Sequence, residues 1–173
     1  YTSNEMFQLE GGQSRKARNP RRMLMKEKCF EILDDCKSMG VKAVQFTGGG
    51  EPTVHPDFLP IVQHAQDLGL ETALVTNGNL LGDPLVLEAV SRMSWIRVSI
   101  DASNSEHYCE ERGVGQHAWV RLQEGVKLVV DSFPGITIGA GFVVHPRNWD
   151  QLYDAVQIYR LWGFHNVRLG LMF

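Results

Sequence analysis

Thr47-Gly48-Gly49-Gly50-Glu51-Pro52 follows the run Lys42-Ala43-Val44-Gln45-Phe46 and leads into a helical pattern that starts near Phe58. A short β-rich run, a glycine-rich turn and a helix with apolar spacing make half of a parallel β/α unit. Consecutive glycines can adopt positive φ and bring backbone polar groups close to a ligand. Glu51 sets a carboxylate beside them, an acceptor for an ammonium, and Pro52 stiffens the exit. No Gly-Lys-Ser/Thr follows the glycines, so the turn does not match a phosphate loop. For a glycine run by itself the default reading is a tight strand-to-helix turn with a surface glutamate.

The same alternation extends on both sides of this turn. Upstream, residues 25–39 carry Met25, Cys29, Ile32, Leu33 and Cys36 at the three-and-four spacing of a buried helix face, and Gly40 supplies the stop. Downstream, Phe58, Ile61, Val62, Ala65 and Leu68 form a second helical stripe that ends at Gly69. A strand is predicted over 71–76, halted by Asn77-Gly78, and Asp83-Pro84 offers an N-cap and first-turn proline for a short helix over 85–91. Strand 95–100 is followed by a helix marked by Trp119, Leu122, Val126 and Val129, and then by strand 136–144. Asn148 caps the next helix, with Gln151 three residues on in the manner of a capping box, and its stripe is Leu152, Ala155, Val156 and Tyr159. A last strand spans 167–173. About five strands and five helices result, at close to the thirty-residue spacing of βαβ units.

Composition bounds the function. In 173 residues, 43% hydrophobic and 21% charged side chains are enough for one globular domain over residues 1–173, with 1–23 as a loop segment. A net charge of −3 provides no field to gather nucleic acid or an anionic membrane, so nucleic acid is an unlikely partner. No apolar run reaches the roughly 20 residues of a membrane span, and no signal peptide opens the chain. Three cysteines argue against a disulfide framework and fit a reducing cytoplasm. The chain opens at Tyr1 and closes at Phe173 inside an apolar run, so it is expected to be a piece of a longer protein.

Parallel β/α units place their working loops beyond the carboxyl ends of the strands. Here those loops begin at Thr47, Asn77, Asp101, His145 and the C-terminus, where polar residues and glycines cluster. Gly49-Gly50-Glu51-Pro52 resembles the Gly-Gly-Glu-Pro motif of the radical S-adenosylmethionine (SAM) superfamily. Leu74-Val75-Thr76-Asn77-Gly78 is similar to that family's next strand end. Arg97-Val98-Ser99-Ile100-Asp101 is similar to the strand that reaches the cofactor's ribose, and Glu111-Arg112-Gly113 to the Arg-Gly step that follows. Phe142-Val143-Val144, with a helix starting at Asn148, also fits the order.

This resemblance implies an α/β fold, an incomplete parallel (β/α) barrel of the partial TIM type with its first strand missing. It implies an enzyme that cleaves SAM at a [4Fe–4S] cluster and abstracts a hydrogen atom from a substrate, fed by an electron donor such as flavodoxin or ferredoxin. Gly49, Gly50, Glu51 and Pro52 would meet the methionine ammonium, and Arg112 the carboxylate through charge-assisted hydrogen bonds. Ser99 and Asp101, two apart on a strand and so on one face, would meet the ribose diol, with Thr76 and Asn77 at the neighbouring strand end. Gly139 and Gly141 would leave their face open to a ligand. Each position also has a plainer reading, as strand end, turn or solvated charge.

The family's Cys-x-x-x-Cys-x-x-Cys loop, whose thiolates hold the cluster, has no counterpart in the chain. It is expected upstream of Tyr1, so none of these residues is assigned to a metal. Cys29 and Cys36 read as core packing and Cys109 as a loop thiol. Two other readings stay open: a cluster-less barrel that binds another nucleotide-like or anionic ligand, and a non-catalytic relative. The basic run Arg15, Lys16, Arg18, Arg21 and Arg22 reads as a solvated loop, and His55 and His145 as turn residues. The substrate is not legible.

Overall fold

A computed structural model describes residues 23–172. Helix α1 (Lys26–Ser38) leads into strand β1 (Ala43–Phe46), and a single 3₁₀ turn (Pro52–Val54) separates it from helix α2 (Phe58–Asp67). Then come β2 (Glu71–Thr76), α3 (Pro84–Val90), β3 (Trp95–Ser99), α4 (Ser105–Arg112) and α5 (Gln116–Ser132). The chain continues through β4 (Thr137–Val144), a 3₁₀ turn (Trp149–Gln151), α6 (Leu152–Leu161) and β5 (Asn166–Leu171). The basic run, the predicted first 22 residues of the loop segment and Phe173 lie outside the described residues.

The five strands form one sheet in the order β1-β2-β3-β4-β5, every pair parallel. Sequential order with a helix on each crossover is the arrangement of a (β/α) barrel wall, here partial. Alternate strand residues point into the helical layer. Leu74, Ile96, Val98, Ile138, Ala140 and Phe142 join Val62, Val86, Leu122 and Tyr159 in the main core. A smaller core under α1 gathers Leu33, Ile61, Ala65 and Leu70. On the helical side, Tyr108, Trp119, Trp162, Tyr159 and Phe164 form a chain of ring contacts that ties α4, α5 and α6 together.

The structure corrects the expected pattern in four places. In α1 the stripe is narrower than its spacing suggests: Leu33 is buried and the two cysteines half-buried, while Met25 and Ile32 are exposed. Helix α4 was not foreseen, because its sequence Ser105–Arg112 buries only Tyr108 and so carries no apolar period. Its start is signalled by Asn104, whose Oδ1 accepts from the His107 N–H at 3.0 Å. Asn148 makes no side-chain cap and forms no capping box with Gln151. Strand β3 ends at Ser99, so Asp101 lies beyond it with φ 63°, outside the strand alternation that was to place both on one face.

The C-terminal ends of the strands

Glu51 is 8% exposed and is the N-cap of the 3₁₀ turn, held there by four donors. Its Oε1 accepts from the Thr53 N–H at 3.2 Å, the Thr53 hydroxyl at 2.7 Å and the Thr76 hydroxyl at 2.7 Å. Its Oε2 accepts from the Asn77 N–H at 2.6 Å. The carboxylate therefore pins the loop after β1 to the end of β2. Three of the four donors crowd Oε1 and one reaches Oε2. Each oxygen of an ionised carboxylate has about two lone-pair sites, so Oε2 keeps room for one further donor. Thr76 is buried and its hydroxyl also accepts from the Gly78 N–H at 3.0 Å, so it reaches the site through Glu51. Asn77 is half-buried, and its Oδ1 accepts from the Asn79 N–H at 2.9 Å.

The glycines before Glu51 are free of two constraints that commonly require the residue. None of Gly48, Gly49 and Gly50 has positive φ, contrary to the use expected for them. A Cβ built on Gly49 or Gly50 would meet no atom within 4 Å. Neither backbone conformation nor packing among the described residues demands glycine there, which leaves open space beside Glu51.

A second knot joins β3, α4 and β4. Asp101 Oδ1 accepts from the Val143 N–H at 2.7 Å, and its Oδ2 from Arg112 Nη2 at 2.7 Å. The same Nη2 donates to the Ser99 carbonyl at 3.0 Å. Aspartate is among the few residues that adopt left-handed backbone with little penalty, which suits Asp101 to its φ of 63°. Arg112 sits in the last turn of α4, one residue before Gly113 (φ 63°), whose left-handed conformation ends the helix. A guanidinium carries five N–H donors, so Arg112 retains unspent ones.

Asn148, expected to be a helix cap, is fully buried and serves this knot. Its Nδ2 donates to the carbonyls of Asp101 (3.1 Å) and Val143 (3.0 Å), and its Oδ1 accepts from the His145 N–H (2.9 Å). Gln151 Oε1 takes the Ser103 N–H and hydroxyl, both at 3.3 Å. His145 Nδ1 accepts from the Arg147 N–H, leaving Nε2 toward Glu111 at 3.4 Å. Sequence reading passed over Thr53 and gave Asn148 only the role of a helix cap. A threonine two residues after Glu51 was the one signal that a buried partner was at hand.

Polar loops gathered at the carboxyl ends of a parallel sheet make this a (β/α) protein with its candidate site where that class of fold places its working loops. The sequence profile of the Radical SAM superfamily matches residues 6–158, and the chain belongs to that superfamily. It is 29% identical over 148 residues to a probable GTP 3′,8-cyclase of Saccharolobus islandicus, covering 85% of this chain and 47% of that protein. It is 36% identical over 86 residues to an S-adenosylmethionine-dependent nucleotide dehydratase of Flammeovirga pacifica, covering 50% of this chain and 29% of that protein. The chain thus spans less than half the length of these curated relatives. In fold it is similar to Streptococcus suis SuiB bound to S-adenosylmethionine (TM-score 0.73, 20% identity), covering 90% of this chain and 35% of SuiB. It is also similar to anSMEcpe with bound AdoMet (TM-score 0.70, 13% identity), covering 87% of this chain and 43% of that one.

Proposed function

We propose that this chain is the SAM-positioning part of a radical SAM enzyme, with the cofactor lying across the ends of β1 to β4. The observation that carries this reading is the open space at Gly49 and Gly50 beside a buried carboxylate with acceptor capacity left. Backbone polar groups there and Glu51 Oε2 suit an ammonium, with Pro52 setting the exit of the loop. Thr76 and Asn77 hold Glu51 in place. Ser99 and Asp101 offer oxygens to a ribose diol, and the unspent donors of Arg112 suit a carboxylate. These groups bind and orient; none is cast as a general acid or base.

In the family, the bound cofactor supplies a hydrogen-abstracting radical once it is reductively cleaved at a [4Fe–4S] cluster. Among the described residues no group of three His, Cys, Asp or Glu side chains could take a metal ion, so the cluster ligands are not assigned to them. An electron donor such as flavodoxin or ferredoxin belongs to the same reading, as does a cytoplasmic setting. No helix among the described residues is long and apolar enough to cross a membrane. The relatives' names point to different substrates, GTP and a nucleotide in two cases. SuiB was solved with the precursor peptide SuiA. Names alone therefore do not select one.

Calorimetric titration of the chain with SAM, beside a Gly50→Ala variant, tests the proposal. Nothing crowds a Cβ at Gly50, so the variant should melt within about 0.5 kcal/mol of the parent. SAM binding should nevertheless weaken, since the methyl occupies space meant for the ligand. Equal SAM affinity in both proteins would remove the role given to the glycines.

A further inference from the structure

The inner face of the sheet, opposite the helical layer, carries two arginines. Register aligns Arg97 of β3 with Gly139 of β4 and Asn166 of β5, and aligns Ser99 with Gly141 and Arg168 one row higher. Arg97 and Arg168 therefore share a face, one row and two strands apart, with only glycines on the strand between them. A Cβ at Gly141 would touch Arg97 Cγ and Cδ at 3.8 Å, and one at Gly139 would collide with the Asn166 side-chain oxygen. The glycines thus let both polar side chains lie across β4.

Neither arginine has a hydrogen bond or ion pair among the described residues. Arg97 Nε is buried without a partner, although a buried donor is costly to leave unpaired. The Arg97 guanidinium carbon lies over the Trp95 ring, 5.0 Å from its centroid, a cation–π contact. Burial, and then the charge of Arg168, hold its pKa below the ordinary arginine value, as expected for two cations facing a shared space. Beside Arg97, where β3, β4 and β5 begin, lies a pocket of about 270 Å³ whose polar lining is Ser94, Arg97, Thr137 and Asn166, with Arg168 one row above it rather than in its wall. Two like charges, one orphaned N–H and a polar pocket together lack one thing, an anion.

We propose that Arg97 and Arg168 form a subsite for the oxyanion group of the substrate, a phosphoryl or carboxylate, held on the inner face below the cofactor loops. Guanidinium forks match either group in two-point hydrogen bonding. The inference rests on the reading of this chain as part of a SAM enzyme only in taking the anion's owner to be the substrate. The subsite is separate from Arg112, which lies beyond the strand end on α4.

Titration of the chain with inorganic pyrophosphate and, in a second arm, with citrate tests it at one fixed low salt concentration. Both Arg97→Gln and Arg168→Gln should weaken binding about tenfold or more. Lys127→Gln, at an exposed position on α5, should leave it unchanged. The arm that binds more tightly separates phosphoryl from carboxylate recognition. Arg168 is exposed, so its variant remains informative even if Arg97→Gln fails to fold. Absence of binding in both arms, or equal binding by parent and arginine variants, overturns the subsite. SAM titrated into the same samples separates the two readings: a parent that binds SAM but neither anion refutes the subsite alone. A parent that binds anions through both arginines, but not SAM, supports the subsite and refutes the cofactor reading.

Discussion

Glu51 has two tasks at the residue scale. Four donors converge on its carboxylate, so it is a structural staple before it is a ligand contact. Glu51→Gln would turn an amide NH₂ toward N–H or hydroxyl donors, leaving at least one of them unsatisfied. The expected loss is about 1–3 kcal/mol in denaturant unfolding, well above what a surface substitution costs. A loss under about 0.5 kcal/mol would mean the staple is not formed. Two phenols set a pH dependence on the same scale. Burial raises the pKa of Tyr108 and, further, that of Tyr159, whose hydroxyl donates to the Ala102 carbonyl at 2.8 Å. Folded pKa values above the unfolded value of about 10 mean that the folded state keeps its protons longer. Their stabilising contribution is complete below about pH 10 and is lost as pH rises beyond it. Thermal melts stepped upward from pH 9 should show midpoints falling from about pH 10, and Tyr159→Phe should flatten that fall.

Elements were legible where period and punctuation agreed. The strand Glu71–Thr76 has the predicted bounds, and Asp83 caps α3 through bonds from the Leu85 and Val86 N–H groups. Helix α4 was not legible, since one buried tyrosine in Ser105–Arg112 makes no stripe. Reading Asp101 as a strand residue failed for a related reason. Alternation says which residues share a face but not where a strand stops, and the stop here comes from hydrogen bonds to Arg112 and Val143 that are 11 and 42 residues away. Gly78 is where an element junction is most constrained. It has φ +79°, and a Cβ would lie 2.5 Å from Leu122 Cδ1 and 2.7 Å from Val98 Cγ1. Gly78→Ala combines left-handed strain with overpacking and should cost about 2–4 kcal/mol in equilibrium unfolding, where Gly50→Ala costs almost nothing. Comparable losses at the two positions would contradict the distinction between a structural and a ligand-facing glycine.

Across the whole molecule, the parallel sheet in sequential order follows from alternation alone, because short crossovers place each strand beside the last. The strand-end cluster was legible as a set of polar residues in motif order. Its wiring was not: that Glu51 joins Thr76 and Asn77, and that Asn148 braces Asp101, depends on contacts between segments 25 and 47 residues apart. The inner-face arginines were less legible still, since only strand register shows that glycines alone separate Arg97 from Arg168. At this scale the central claim is that one end of the sheet holds SAM. The most direct test is an amide ¹H–¹⁵N titration of the isotope-labelled chain with SAM. Saturable shifts at Gly49, Gly50, Asn77 and Ser99, with α1 and the Trp95 end of β3 unmoved, are the predicted result. Saturable shifts confined to other residues, or none at millimolar SAM, would contradict the account.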